Sequence, residues 1–142
     1  MRGLLVKAFV RAHVFTYRLS GGRIGGAWRK APIGLLTTAG RESRKQRTTP
    51  VLYLEQGDSF TVVATNDGAA SHPGWYLNLL AHPLARLQTA RETVPVSARV
   101  AEGGEREALW PRLVAMYPNY ERDQQRAERE LPVVVLERRR EA

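Results

Sequence analysis

The octet Gly40-Arg41-Glu42-Ser43-Arg44-Lys45-Gln46-Arg47 puts four cations, a hydroxyl and a glycine in one short stretch. A phosphate is held by guanidinium forks, backbone N–H groups and a hydroxyl donor, and this octet offers all three. The same composition also describes the tip of a soluble hairpin. A second group begins with the small and polar residues Val63-Ala64-Thr65-Asn66 and continues to Trp75-Tyr76-Leu77-Asn78. On a helix Trp75 and Asn78 share a face, and an amide beside an indole suits a planar heterocycle. The plainer reading makes Trp75 a core residue and Asn78 a cap. His13, His72 and His82 lie in different elements without an acidic partner at ligand spacing, so no metal site is expected. With no Cys in the chain, disulfides, thiolate metal sites and a cysteine nucleophile are excluded. A nucleophile elbow, a Walker lysine loop and a deaminase signature are also missing, which leaves hydrolase and kinase chemistry without a basis.

These residues need a scaffold, and the pattern from Pro32 onward supplies one. The segments 33–38 (IGLLTT), 48–55 (TTPVLYLE) and 59–65 (SFTVVAT) are rich in β-branched and aromatic residues, with a Gly-containing turn at 56–58. The first two strands flank the cationic octet. A helix is predicted over His72–Ala81, with Pro73 in its first turn and a stop at His82-Pro83. Strands follow at 85–90 and 93–101, where Pro95 argues for a sheet edge or a bulge. Gly103-Gly104 opens a helix to about Met116 with Leu109, Trp110, Leu113 and Met116 as its buried stripe. A charged helical piece over Tyr120–Arg129 is expected on the surface, PVVVLE at 132–137 reads as a central strand, and RRREA is a solvated tail. Six mainly antiparallel strands with inserted helices imply an α+β fold whose sheet curls toward a barrel.

The 142 residues, 43% hydrophobic, are enough for one domain with a real core. It is divided here into an N-terminal amphipathic helix and Gly-rich linker (1–26) and a barrel domain (27–142). Residues 4–19 carry a basic amphipathic pattern. Its two readings are packing on the barrel and peripheral contact with an anionic membrane. The GGRIGG run at 21–26 has no preceding strand and does not fit a dinucleotide-binding turn. Charged residues interrupt every apolar stretch near the N-terminus, so no signal peptide or membrane span is expected, and the expected location is the cytoplasm. Residues 1–47 hold 11 Lys and Arg against the single acid Glu42, while the rest of the chain has 11 against 13. An anionic partner near the first third follows, although charge alone does not identify it. Nucleic acid is not expected, because aromatic residues are sparse among the loop cations.

LLTTAGRESRKQRTTPVLYLEQGDSFTVVAT, then SHPGWYLNLLAHP, MYPNY and ELPVVVLE, occur in order over most of the chain. Together they resemble the deazaflavin (F420)-dependent nitroreductase and F420H2-dependent quinone reductase family of actinobacteria. The resemblance implies a split β-barrel of the FMN-binding type with helical additions. It further implies hydride transfer from reduced coenzyme F420 to an electron-poor acceptor such as a quinone, nitroaromatic or activated enone. By the same match Arg41, Ser43 and Arg47 hold the coenzyme's phosphate and tail, and Ala64 and Thr65 lie beside its ring. Trp75, Tyr76 and Asn78 match a W-Y-x-N motif that walls the pocket, and Pro50 and Asn66 are counted with the binding positions. Glu42 and Asn66 stand where the family carries Lys, and Arg44 and Lys45 are the candidates to compensate. Tyr117, Tyr120 and Asp123 match three positions of the substrate lid. Asp123 replaces a common Tyr, so altered substrate choice is expected, with Thr65, Tyr117 and Tyr120 as proton or hydrogen-bond donors. The alternatives are a diverged member that uses FMN and a non-catalytic carrier of a flavin-like or other anionic ligand. A homodimer is compatible with such a barrel.

Overall fold

The computed structural model describes residues 27–28 and 31–140. The helix expected at 4–19 and the linker up to residue 26 lie outside them. The strands are β1 (Ala27–Trp28), β2 (Ala31–Ala39), β3 (Gln46–Leu52), β4 (Leu54–Gln56), β5 (Ser59–Val63), β6 (Leu84–Gln88), β7 (Thr93–Val100) and β8 (Val133–Arg138). The helices are α1 (Gly74–Ala81), α2 (Gly103–Met116) and α3 (Asn119–Ala127), and Asn66–Gly68 forms a 3-10 turn. The strands run β1-β2-β6-β7-β8-β5-β4, with β3 also paired to β2 and every pairing antiparallel.

The expected strand at 48–55 is two strands, interrupted at Tyr53. β3 pairs with β2 in register Leu52 to Ile33, whereas β4 pairs with β5 in register Leu54 to Thr61. One covalent segment therefore belongs to both ends of the strand order, and the sheet curls toward a barrel. Tyr53 is buried against Phe60, with ring centroids 5.7 Å apart and edge to face, and its N–H donates to Pro32 O. Among the described residues β3 pairs with β2 alone, and the barrel is split beside it.

Two apolar clusters hold the fold. Leu36, Phe60, Val62, Leu87, Val94 and Leu136 belong to the inner one, and α1 contributes Tyr76 and Leu79 to it. The outer cluster joins Val63, Val133 and Val135 to Leu109 and Leu113 of α2 and to Tyr120 and Ala127 of α3. β8 feeds both, because Val134 and Leu136 belong to the inner cluster and Val133 and Val135 to the outer. That explains the unbroken apolar run in PVVVL, as each buried Val or Leu side chain stabilises by about 1.5–3 kcal/mol relative to exposure.

Two expectations change. α3 lies on the surface with Glu121, Arg122 and Arg126 exposed, but it is not solvated throughout, because Tyr120 and Ala127 are buried and anchor it. β7 is not an edge strand, since β6 and β8 flank it. Pro95 is accommodated where β8 runs out, one residue before the last pair, Val96 with Arg138, and its carbonyl accepts from Arg139 N–H.

β2 is flanked by β3 and β6, and at Gly34 there is no room for a side chain. A Cβ there would lie 2.9 Å from Leu87 Cδ1, 3.0 Å from Gln88 O and 3.2 Å from Tyr53 Cδ1. The Gln88 carbonyl is backbone and cannot swing aside. Gly34→Ala is expected to lower unfolding free energy by about 1–3 kcal/mol in urea denaturation. Gly104→Ala, where nothing lies within 4 Å, is expected to be neutral or stabilising.

Candidate functional site

A cleft of about 1450 Å³ opens along β3, which has no second strand partner among the described residues. It exceeds the roughly 300–1,000 Å³ usual for a compact small-molecule site, so it suits an extended ligand. Arg47, Thr49 and Pro50 of β3 line it, together with Val63 at the end of β5 and Thr65 and Asn66 just beyond it. Trp75 and Asn78 of α1 close one end, and Tyr117, Tyr120 and Asp123 approach from the α2–α3 side.

The cationic turn is locally ordered. Gly40 N–H donates to Lys45 O and Arg44 N–H to Gly40 O, both at 2.8 Å, with Arg44 at φ 60°. Lys45 N–H donates to Ser43 Oγ at 3.2 Å. Asn78 fixes the turn to the barrel: its Oδ1 accepts from Arg41 N–H at 3.1 Å and from Arg41 Nη1 at 3.2 Å. Its Nδ2 donates to Thr38 Oγ1 at 3.1 Å. Asn78 is buried, so these bonds satisfy an amide that has left water. The capping role considered for Asn78 is replaced by this bracket between α1, β2 and the turn.

Of the residues singled out in the sequence, Arg41, Ser43, Arg47, Pro50, Thr65, Asn66, Trp75 and Asn78 line the cleft, as do Tyr117 and Tyr120. Ala64 and Tyr76 are buried in the inner cluster behind the wall. Arg44 and Lys45 are exposed and do not line the cleft, whereas Glu42 does. Asn66, at φ 49°, bridges its own loop through Nδ2 to Ser71 O at 3.1 Å. Burial holds the Tyr120 phenol far above its ordinary pKa, with smaller contributions from Tyr117 and Asp123. Its ring meets that of Tyr117 edge to face at 5.1 Å, and Asn119 Nδ2 donates to Tyr117 OH at 3.1 Å.

Arg122 and Arg126, four residues apart on α3, also line the cleft, as does His72. The sequence signal for the arginines was their helical spacing, which is hidden in a segment that reads as solvated throughout. With Arg41 and Arg47 they set four guanidinium groups against the carboxylates of Glu42 and Asp123. The cleft therefore keeps a positive balance despite the missing lysines.

A curled antiparallel sheet with helical additions, split beside β3, is a split barrel of the FMN-binding-like fold. Residues 9–138 match the family model described as F420H(2)-dependent quinone reductase. An F420H(2)-dependent quinone reductase of Mycobacterium tuberculosis (strain ATCC 25618 / H37Rv) is 35% identical over 137 residues, covering 92% of this chain and 90% of that protein. Among solved structures, an F420-H2 dependent reductase, FDR-A, superimposes with a TM-score of 0.70 at 37% identity, covering 75% of this chain and 94% of that one. Another, described as a domain-swapped dimer, superimposes with a TM-score of 0.73 at 33% identity over 92% of this chain and 98% of that one. The chain belongs to the F420H(2)-dependent quinone reductase family. No helix among the described residues is long and apolar enough to cross a membrane.

Replacing Asn78 releases Arg41 and leaves buried polar groups unpaired. Asn78→Ala is expected to cost about 1–3 kcal/mol in stability. Hydrogen exchange at the Arg41 amide is expected to quicken more than exchange in β6 or β7. Unchanged exchange at Arg41 would remove Asn78 from its bracketing role.

Proposed function

We propose that this chain reduces quinones with hydride drawn from the reduced deazaflavin coenzyme F420, using the cleft along β3. The observation that carries the reading is the juxtaposition, in one elongated cleft, of the Arg41–Arg47 rim with the hydroxyl group formed by Thr65, Tyr117 and Tyr120. Family membership supports the same donor and acceptor class. The donor set fits the coenzyme. An anionic tail is matched by Arg41, Arg47 and the Ser43 hydroxyl, whose Oγ accepts from Lys45 and keeps its own proton to donate. A planar ring is matched by Pro50, Thr65, Asn66 and Trp75, which line the same cleft.

Bound reduced F420 supplies a hydride at carbon. The chain's own task is to hold donor and acceptor in contact, keep bulk water out and manage the charge that a reduced quinone oxygen acquires. Arg41, anchored by Asn78, is preorganised for the anion and loses little freedom on binding. Tyr120 is buried and stays protonated through the physiological range, so it donates a hydrogen bond to a developing oxyanion and is not a base. Thr65 and Tyr117, which also line the cleft, offer further O–H donors. Asp123, on the lid helix, disfavours acceptors that bring a second negative charge near it and so narrows the acceptor range.

Oxidation of F420H2 by menadione, followed by deazaflavin absorbance, is the direct assay. The wild type is expected to exceed the protein-free rate across several quinones. Retained coenzyme affinity without acceptor reduction would mark a carrier, and preference for FMN a diverged member. Losing two charge-assisted contacts in Arg41→Ala/Arg47→Ala is expected to weaken coenzyme binding by about two orders of magnitude or more in fluorescence titration. Equal affinity would place the anion site elsewhere. Because the Tyr120 phenol is held protonated, the rate is expected to show no Tyr120-dependent step between pH 6 and 9, read by comparing the pH profiles of wild type and Tyr120→Phe.

A further inference from the structure

α3 ends at Glu128 in the left-handed region, φ 55°, and the chain then turns back so that Arg129 reaches the loop after β5. Arg129 Nε donates to Ala69 O at 3.0 Å, and Nη2 donates to Thr65 O at 3.1 Å and to Ser71 O at 3.2 Å. Nη1 lies 3.0 Å from His72 Nδ1. The backbone of Arg129 is itself held, since Gln124 Nε2 donates to Arg129 O at 2.6 Å and Gln124 Oε1 accepts from Leu131 N–H at 2.9 Å. Gly68, at φ 75°, lets the 3-10 turn close on α3. A Cβ there would lie 3.1 Å from Asp123 O and 3.2 Å from Arg126 Cδ.

A guanidinium has donors only, so its contact with Nδ1 requires that nitrogen to accept. The imidazole is then neutral and its proton sits on Nε2. The ring lines the cleft and leans on Tyr76 with centroids 4.8 Å apart. We propose that His72 is a neutral N–H donor of the cleft that recognises a ring carbonyl oxygen, and that Arg129 is the positioning residue that sets its tautomer and holds the Thr65–His72 wall. The proposal rests on the reductase reading for its ligand class, because carbonyl oxygens are carried both by the deazaflavin ring and by a quinone. Partial burial and the Arg129 charge, in that order, lower the His72 pKa and favour the neutral ring. The groups that face it are Arg129 from the end of α3 and Tyr76 from α1.

The tautomer is read without any ligand, by long-range 15N–1H NMR at pH 8 on the intact protein, with His72 assigned by the signal lost in His72→Phe. The Nε2–H form is expected, and in Arg129→Ala a mixture of tautomers with faster amide exchange over 65–72. An Nδ1–H ring in the wild type overturns the proposal whatever the activity. The second arm titrates oxidised F420 and menadione separately. His72→Phe, which keeps a ring and removes the donor, is expected to weaken one of them by about three- to tenfold, the range of one neutral hydrogen bond. His72→Gln, with an N–H near the Nε2 position, is expected to restore most of the loss. The ligand affected identifies which carbonyl is recognised. Both ligands binding His72→Phe as they bind the wild type overturns the proposal. If wild-type protein binds neither ligand, the reductase reading and with it His72's ligand role fall, while the NMR result still decides the part played by Arg129.

Discussion

A strand in a closed barrel must satisfy two neighbours, and the segment from Gln46 to Gln56 cannot satisfy both along its whole length. Up to Leu52 it follows β2, and from Leu54 it follows β5. The exchange of partners falls at Tyr53, whose ring is locked against Phe60 and whose N–H is taken by Pro32. The cleft depends on that exchange. It leaves β3 without a second strand partner among the described residues, and Arg47 and Pro50 line a gap with Thr65 and Asn66 that α1, Tyr117 and α3 border without filling.

The cations are then positioned by bonds that cost little at the moment of binding. Arg41 is not a loose surface side chain, because a buried amide holds both its backbone and its guanidinium. Arg122 and Arg126 approach from a helix anchored by Tyr120 and Ala127 in the outer cluster. Such preorganisation matters more than the number of charges, since an exposed ion pair contributes little once screening and side-chain entropy are counted. Glu42 and Asp123 lower the total charge without abolishing its sign.

Much of this was legible in the residue pattern. The β-branched runs, the Gly-containing turn at 56–58 and the double-sided PVVVL strand announced a curled antiparallel sheet, because each is a local consequence of side-chain periodicity. The break at Tyr53 was not legible. TTPVLYLE is continuous in hydrophobicity, and its interruption comes from a change of partner between β2 and β5. The turn and the W-Y-x-N helix were singled out by composition and spacing, and both line the cleft, but the bracket from Asn78 to Arg41 spans 37 residues and leaves no local trace. The contacts of Arg129 with 65–72 reach across 57 to 64 residues and were invisible for the same reason. Arg122 and Arg126 were passed over because a charged helix is usually a solvated face, and the buried Tyr120 and Ala127 that anchor this one beside the cleft are too few to show in its pattern.

The two apolar clusters share β3, β5 and β8 but gather in different places, one inside the barrel and one beneath α2 and α3. Drift in the outer cluster can tilt or reshape α3 while Asn78, on the helix that feeds the inner cluster, keeps the Arg41 turn where it is. A lineage built on this scaffold can therefore exchange one oxidant for another by small steps, none of which passes through a protein that has lost its electron donor.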